Sequence, residues 1–324
     1  ELEVYSIDEA FINLDGIQDI QSLGTRIVNQ VTRGTGIPVS LGIAHTKTLA
    51  KVANKFAKKY PAYNRLCIID TEEKRIKALQ LTNIGDVWGI GRRQAAKLEK
   101  QGVKTAYNFT LLSGAWVRKN MTVVGERTWK ELRGISCIDM ESAPPAKKQI
   151  CTSRSFGKML TDIDTMAEAI ATHASTCAKK LRKQKSYAIS LMVFIHTNNF
   201  REDLPQYWKN TVLHLPVPTN GTQEIVHYAL AGLKTIFMNG YQYKKAGVII
   251  TEITEGAQLG LFDSVDREKR ERLQQAIDKI NGEYNQLVKL AIQGTGRDWK
   301  LKQEQLSGRY TTDMNQIINI NCRQ

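Results

Sequence analysis

The 324-residue sequence has no apolar run as long as a membrane span and no signal-peptide pattern. Its five cysteines are scattered, odd in number and without C-x-x-C spacing: Cys67, Cys137, Cys151, Cys177 and Cys322. Several histidines likewise stand apart without the spacing of metal ligands: His173, His196, His214 and His227. These features argue against a zinc site and a disulfide framework, and they predict a protein of the reducing cytoplasm.

Positive charge is in excess, with 46 Lys and Arg against 32 Asp and Glu and a net charge of +14. Such an excess indicates a polyanionic partner, nucleic acid in the first place and an anionic membrane in the second. The hydrophobic fraction of 42% is that of an ordinary globular protein, and the length suffices for two or three domains.

Two adjacent carboxylates, Asp8 and Glu9, lie in the stretch Val4–Phe11, whose β-forming residues predict a strand that runs into a hairpin. Successive strand residues point to opposite faces, so both acids serve one site only if the backbone bends there; otherwise one is solvated. Hard divalent ions such as Mg²⁺ take carboxylate oxygens as ligands. The string Tyr-Ser-Ile-Asp-Glu-Ala-Phe at residues 5–11 resembles the palm motif of Y-family (translesion) DNA polymerases. The resemblance implies that Asp8 and Glu9 are catalytic metal ligands.

Residues 46–58 have an apolar helical stripe with four lysines on the opposite side: Lys47, Lys51, Lys55 and Lys58. Like charges four residues apart destabilise a helix slightly, so the lysines indicate either a bound polyanion or a solvated helix face. Residues 42–51 and the following Ala57 and Lys58 resemble the second palm motif of the same family. That resemblance implies that Lys58 contacts the incoming nucleoside triphosphate, a role that suits a point-charge ammonium.

Residues 83–93 contain the pattern apolar-Gly-apolar-Gly between two predicted short helices, with Gly89 and Gly91 followed by Arg92 and Arg93. Glycines allow close approach of the backbone, and the second helix would present free N–H groups to a phosphate. The pattern resembles the helix-hairpin-helix of a polymerase thumb, which binds the DNA backbone; a plain helix-helix turn is the alternative. DNA glycosylases have similar hairpins, but there we expect a catalytic Lys where this chain has arginines.

A polar, proline-containing stretch at residues 138–148 is the predicted domain boundary. Beyond it, the pattern predicts strands at 149–156, 187–196, 211–217 and 244–253 and helices at 164–184 and 222–238. This βαββαβ order is a split βαβ sheet with helices on one face. It resembles the little-finger domain of Y-family polymerases, and residues 151–157 resemble the first strand of that domain. The resemblance implies a DNA-backbone contact for Arg154.

Two large apolar side chains lie in a polar stretch after the last predicted strand, where only a partner would bury them. This stretch resembles the Q-L-x-L-F peptide that docks into the bacterial sliding clamp, with Gln258, Leu259, Leu261 and Phe262 as the contact residues. A charged amphipathic helix is predicted at 264–284, and residues 299–312 resemble the tail of the UmuC branch. Residues 86–93 also favour this branch over the DinB-like one, and the branch implies a UmuD-type activating partner.

Together these features predict an α+β, multidomain fold in the order of a UmuC-type Y-family polymerase. The expected parts are a partial palm (1–76), a helical thumb (77–137), a linker (138–148), a little finger (149–255) and a tail (256–324). The resemblance implies error-prone translesion DNA synthesis in the SOS response to DNA damage, by two-metal catalysis with Mg²⁺. Primer-template DNA and deoxynucleoside triphosphates are the implied substrates.

One departure from the family pattern concerns the metal site. The family's first metal-binding Asp and its fingers lie on and after an earlier palm strand, and we expect that Asp upstream of Glu1. The chain begins with Glu inside a strand pattern, so we interpret it as a fragment without its N-terminal part. We expect it to bind DNA and the clamp without polymerising. The alternative is a non-catalytic DNA-binding, clamp-tethered scaffold with vestigial Asp8 and Glu9.

Overall fold

A computed structural model of the chain describes residues 1–141, 143, 145–256, 266–283, 287–296, 298–301, 303–310 and 312–317. The chain divides into two compact units, residues 1–144 and 145–324, and each is described separately. Helices combine with small sheets in both units, in agreement with the predicted α+β class. Within the described residues, none of the helices is long and apolar enough to cross a membrane.

The first unit combines two small two-stranded sheets with helices. Its strands and α-helices within residues 1–141 are, in chain order, β1 (Leu2–Val4), β2 (Ala10–Ile12), α1 (Ile20–Thr35), β3 (Leu41–Ala44), α2 (Lys47–Lys59), β4 (Leu66–Ile69), α3 (Glu72–Gln80), α4 (Arg92–Lys100), α5 (Ala106–Thr110) and α6 (Gly114–Leu132). Strands β1 and β2 pair as an antiparallel hairpin, whereas β3 and β4 pair in parallel. Helix α2 makes the crossover between β3 and β4 that a parallel pair needs.

The apolar core of this unit is organised around α2. The buried side of that helix is the stripe that the sequence predicts, formed by Leu49, Val52, Ala53, Phe56 and Ala57. These side chains belong to one apolar cluster that continues through β4, α3, α4, α5 and α6. Residues from segments 1–76 and 77–137 therefore share one core, and the opposite side of α2 is left for its lysines.

A buried carboxylate, that of Glu131 in α6, fixes the start of α2. Its Oε2 accepts a hydrogen bond from the Thr48 backbone N–H at 3.0 Å. Its Oε1 accepts from the N–H groups of Cys137 and Ile138 at 2.8 and 3.3 Å. Because three N–H donors compensate the lost hydration, the carboxylate is tolerated in the core, and it determines where the lysine face of α2 lies.

The second unit contains a four-stranded antiparallel sheet and helices. Its described strands and α-helices are β5 (Ile150–Leu160), α7 (Ile163–Lys183), β6 (Tyr187–Thr197), β7 (Trp208–Thr219), α8 (Thr222–Ile236), β8 (Tyr243–Thr254) and α9 (Arg267–Glu283). The predicted strand-helix-strand-strand-helix-strand order is found, with ends that shift by only a few residues. The strand order β5-β8-β6-β7 inserts one strand between β5 and β6, as in a split βαβ arrangement.

The core of the second unit lies between the sheet and helices α7 and α8. Its members come from every strand of the sheet and from both helices, with Phe156, Met166, Leu191 and Tyr243 among the largest fully buried side chains. The edge of the sheet opposite β5 is β7, where the side chain of Trp208 is 64% exposed. Trp208 is thus largely solvated, in contrast to Trp299 of the same unit.

Residues after the sheet also contribute to this core. Trp299 is 4% exposed, and its ring centroid lies 6.1 Å from that of Phe156 and 5.7 Å from that of His173. Its carbonyl accepts a hydrogen bond from the Gly157 N–H at 3.0 Å, and a Cβ at Gly157 would lie 2.2 Å from the Lys300 carbonyl oxygen. The segment around Trp299 is therefore an integral part of the second unit.

We expect Trp299→Ala to lower the free energy of unfolding of the second unit by about 3–5 kcal/mol, because it leaves a cavity in the core. Trp208→Ala is the matched control, since removal of an exposed indole should change that free energy by no more than about 0.5 kcal/mol. Urea unfolding followed by circular dichroism measures both. Equal effects of the two substitutions would contradict the packing of Trp299.

Candidate functional site

The acidic pair lies in the turn of the β1–β2 hairpin. The predicted strand through Tyr5 is interrupted, because the N–H groups of Tyr5 and Ser6 both donate to the Glu9 carbonyl at 3.0 Å and close a turn over residues 5–9. The Ser6 hydroxyl donates to Asp8 Oδ1 at 2.6 Å. The side chain of Asp8 is exposed and that of Glu9 half-buried. The backbone thus bends at the acidic pair.

Helix α2 holds the hairpin through its lysines. Lys47 Nζ lies 2.5 Å from Glu3 Oε2, and Lys51 Nζ lies 2.6 Å from Glu9 Oε2. One turn further on, Lys55 pairs with Asp86 at 2.5 Å. The sequence predicts either a bound polyanion or a solvated helix face for the four lysines of α2. Three of the four instead pair with acids of the same unit. Lys58, the fourth, is exposed.

The Glu3–Lys47 pair is the most buried of these ion pairs, with both side chains 9% exposed. Glu3 Oε2 also accepts a hydrogen bond from the Glu141 N–H at 2.9 Å. Burial acts to raise the pKa of the Glu3 carboxyl, but Lys47 and the Glu141 N–H outweigh it and hold the pKa below its usual range. The carboxylate is therefore ionised at neutral pH and anchors β1 to α2.

Three aromatic rings surround the same lysines. The rings of Tyr5 and Trp88 meet edge to face with centroids 5.6 Å apart, and the ring of Phe11 lies 5.9 Å from that of Trp88. Trp88 Nε1 donates to the Tyr5 hydroxyl at 3.3 Å. The Lys51 ammonium is 5.2 Å from the Tyr5 centroid and 5.5 Å from the Trp88 centroid, within the range of cation–π attraction. The sequence alone assigned no role to Trp88. Its position directly before Gly89 was the one feature of the sequence that could have indicated a functional role.

The turn offers part of a metal site. Carboxylate oxygens of Asp8 and Glu9 fit a hard divalent cation in kind, but Glu9 is already paired with Lys51. Among the described residues, no group of three or more His, Cys, Asp or Glu side chains is placed to hold a metal ion. The residues that the structure describes therefore do not form a complete metal site.

The predicted helix-hairpin-helix has a short first element and a regular second one. The first is a single 3₁₀ turn at Ile84–Asp86, and the second is the nine-residue α4. The N-cap of α4 is Gly91, which lacks a side chain to accept from the first-turn N–H groups, and Arg92 and Arg93 are exposed. Gly89 adopts a φ of +91°, a backbone conformation that favours glycine. Free N–H groups and two guanidinium groups make this end of α4 suited to a phosphate.

The remaining predicted site residues belong to the second unit. Arg154 is exposed on the edge strand β5, where its guanidinium donates to the Ser153 carbonyl at 2.9 Å. The predicted clamp-binding residues, Gln258, Leu259, Leu261 and Phe262, lie outside the described residues. The structure thus joins Glu9 to Lys51, places Asp8 exposed in the same turn, and leaves the other described site residues at separate positions.

The stability of the first unit should depend on the ionisation of Glu3. Folding lowers the pKa of the Glu3 carboxyl from 4.5. The contribution of the ionised carboxylate to the free energy of unfolding is therefore complete above pH 4.5 and is lost as the pH falls through the lowered pKa. At neutral pH we expect Glu3→Gln to reduce the free energy of unfolding by about 3 kcal/mol, since it leaves Lys47 partly unpaired in a buried position.

The difference between the wild type and Glu3→Gln should therefore be largest at neutral pH and shrink on acidification. Urea unfolding at several pH values measures it. Glu99→Gln, at an exposed position of α4, is the control and should show a small difference throughout. A wild-type–Glu3→Gln difference that stays constant down to low pH would contradict this role of Glu3.

The sequence matches described protein families over three segments. Residues 1–55 match the impB/mucB/samB family, residues 147–261 match the C-terminal domain of that family, and residues 271–320 match a domain of unknown function, DUF4113. The first match includes Asp8, Glu9, Lys47 and Lys51.

Similar proteins extend this agreement over nearly the whole chain. Protein ImpB of Salmonella typhimurium is 39% identical over 98% of this chain and 76% of its own length. Protein UmuC of Salmonella typhimurium strain LT2 is 36% identical over 98% of this chain and 78% of its own length. A DNA polymerase IV of Brucella melitensis is 22% identical over 87% of this chain and 62% of its own length. From the family matches and the identity to ImpB and UmuC, the chain belongs to the impB/mucB/samB family, the UmuC-type group of the Y-family.

Proposed function

We propose that this protein is a Y-family DNA-directed DNA polymerase that carries out error-prone translesion synthesis in the SOS response to DNA damage. The observation that carries the proposal is the Asp8–Glu9 turn, held against the lysine face of α2 in the same unit as the phosphate-suited end of α4. The names of the relatives support it, since they include UmuC and DNA polymerase IV. The net charge of +14 suits a nucleic-acid substrate.

In this proposal, residues 1–76 are a partial palm, 77–137 a thumb and 149–255 a little finger. Residues 138–148 join thumb and little finger, and residues 256–324 form the tail. The βαββαβ order of β5 to β8 supports the little-finger assignment. The α4 hairpin supports the thumb assignment, although thumb and palm residues share one apolar cluster.

The proposed roles follow from the chemistry of the side chains. Asp8 and Glu9 would hold Mg²⁺, which when bound would supply positive charge near the primer 3′-hydroxyl and the triphosphate. Lys58 binds the triphosphate of the incoming deoxynucleotide; its exposed ammonium and its position on the lysine face of α2 support this role. Lys51 competes with a cation for Glu9, because it holds that carboxylate at 2.6 Å.

DNA is held through its phosphates. Gly89, Gly91, Arg92 and Arg93 bind the backbone of the primer-template, and Arg154 makes a further backbone contact from β5. Contacts of this kind position the duplex and contain little sequence information. A polymerase that copies damaged templates of any sequence needs this mode of binding.

We further propose that residues 1–324 alone bind DNA without extending a primer, because two carboxylates are too few for a two-metal site. A third ligand, an Asp upstream of Glu1, completes the site. The competing function is a non-catalytic, clamp-tethered DNA-binding scaffold in which Asp8 and Glu9 are vestigial.

Two protein partners belong to the proposal. The peptide with Gln258, Leu259, Leu261 and Phe262 docks into the bacterial sliding clamp and tethers the protein to DNA. A UmuD-type subunit activates it, as membership in the UmuC-type group implies.

Primer extension with Mg²⁺ tests the proposed reaction. We expect residues 1–324 to extend a primer no faster than their Asp8→Ala variant. A version that includes the residues encoded upstream in the reading frame should extend it, and Asp8→Ala in that version should abolish extension. If the longer version is inert with the activating subunit present but still binds DNA, the scaffold function is correct instead.

DNA binding tests the proposed role of α4. The double substitution Arg92→Ala/Arg93→Ala should weaken binding of all DNA sequences alike and reduce the slope of log Kd against log salt by about 2, about 1 for each phosphate contact. Fluorescence anisotropy with labelled primer-template at several salt concentrations measures this slope. Arg26→Ala/Arg33→Ala on α1 removes equal charge from exposed positions and should change the slope much less. Equal slopes for the two double variants would refute the α4 contact.

A further inference from the structure

The hairpin with the acidic turn has little internal support. Its two strands are three residues each; they pair through Leu2–Ile12, Glu3–Phe11 and Val4–Ala10, and one backbone hydrogen bond from the Asn13 N–H to the Glu1 carbonyl extends the pairing. An isolated two-stranded hairpin is at best marginally stable in water. Within the described residues of its unit it does not join the β3–β4 sheet, so side chains from elsewhere in the unit must determine where Asp8 and Glu9 lie.

The ion pairs from α2 hold the turn only weakly. Glu3–Lys47 anchors β1 before the turn begins, and the Lys51–Glu9 pair is partly exposed, at 21% and 39%. Exposed ion pairs of this kind contribute little to stability. An ammonium is also a point charge that does not define the orientation of its partner. Any cation that binds Glu9 also competes directly with Lys51. A further contact is needed to fix the turn.

Trp88 makes that contact from a rigid position. Val87, directly before it, and Ile90, two residues after it, are buried at 3% and 6% exposed, and the Ile90 N–H donates to the Val87 carbonyl at 3.0 Å. From this fixed loop the indole packs edge to face on Tyr5 and donates to its hydroxyl. It also packs on Phe11, which lies on β2 at the other side of the turn. Both arms of the turn are therefore held by one side chain.

We infer that Trp88 is a positioning residue that fixes the Asp8–Glu9 turn relative to the phosphate-binding end of α4. The indole precedes Gly89 directly, so a displacement of the loop by a bound phosphate moves the ring that holds Tyr5. The DNA-backbone site and the acidic turn then act as one rigid body. Only the coupling to DNA depends on the proposed function; the fixing of the turn does not.

Hydrogen exchange measured by mass spectrometry tests the fixing of the turn without DNA or metal. In Trp88→Ala we expect the Tyr5 and Ser6 amides, which donate to the Glu9 carbonyl, to exchange at least about tenfold faster. Tyr5→Leu, which removes the ring on the hairpin side and leaves the loop intact, should have the same effect. Trp88→Phe, which keeps a ring in place, should restore most of the protection.

Trp129→Ala is the matched control, since it truncates a buried tryptophan of the same unit, in α6, whose ring lies against Arg133. It should accelerate amide exchange in the helices and in the turn by the same factor. Unaltered exchange at Tyr5 and Ser6 in both Trp88→Ala and Tyr5→Leu would overturn the inference. So would an equal, unselective acceleration in Trp88→Ala and Trp129→Ala.

The coupling to DNA is tested by adding primer-template. DNA should slow exchange at Tyr5 and Ser6 in the wild type but not in Trp88→Ala, while anisotropy shows the same Kd for both. Slowing in both proteins, or in neither while both bind, would refute the coupling. If the wild type does not bind DNA, the proposed function fails, whereas exchange in the protein alone still decides the role of Trp88.

Discussion

The pairing of an acidic hairpin with a lysine helix is the constraint on which the first unit depends. Strands β1 and β2 are too short to hold themselves together, and α2 presents like charges that repel one another. Each element supplies what the other lacks, since Glu3 and Glu9 neutralise Lys47 and Lys51. The geometry of the turn is thus a property of the helix as much as of the hairpin.

The position of α2 depends in turn on contacts much further along the chain. Glu131 accepts the Thr48 N–H at the start of the helix and two N–H groups beyond α6. The apolar side of the helix packs in the cluster that includes α3 to α6. Removal of the Glu131 carboxylate is therefore expected to disturb the acidic turn without contacting it. This arrangement explains how an exposed functional turn can keep a defined position on a small hairpin.

Periodicity predicted the second unit well, because its strands and helices span 11 to 21 residues and their apolar positions repeat clearly. A hairpin was predicted but the position of its turn at residues 5–9 was not, since Tyr5 and Ile7 favour strand, although Ser6 and Asp8 are common in turns. The acid partners of the lysines were also missed. Glu3 and Asp86 are far from α2 in sequence, and local patterns give no information about such pairs. Of the candidate site, the acidic pair and the α4 glycines came from a family resemblance, whereas Trp88 emerged only from three-dimensional contacts.

The burial of Trp299 has a consequence for the order in which the protein folds. A ribosome releases the chain from its N-terminus, so β5 to β8 are synthesised well before this residue. Until then Phe156 and His173 lack their aromatic partner, and the second unit has an incomplete core. Contacts of such long sequence separation slow folding and prolong the exposure of apolar surface. A newly made chain should therefore depend on chaperones until the segment around Trp299 emerges, and termination before that segment should lead to degradation.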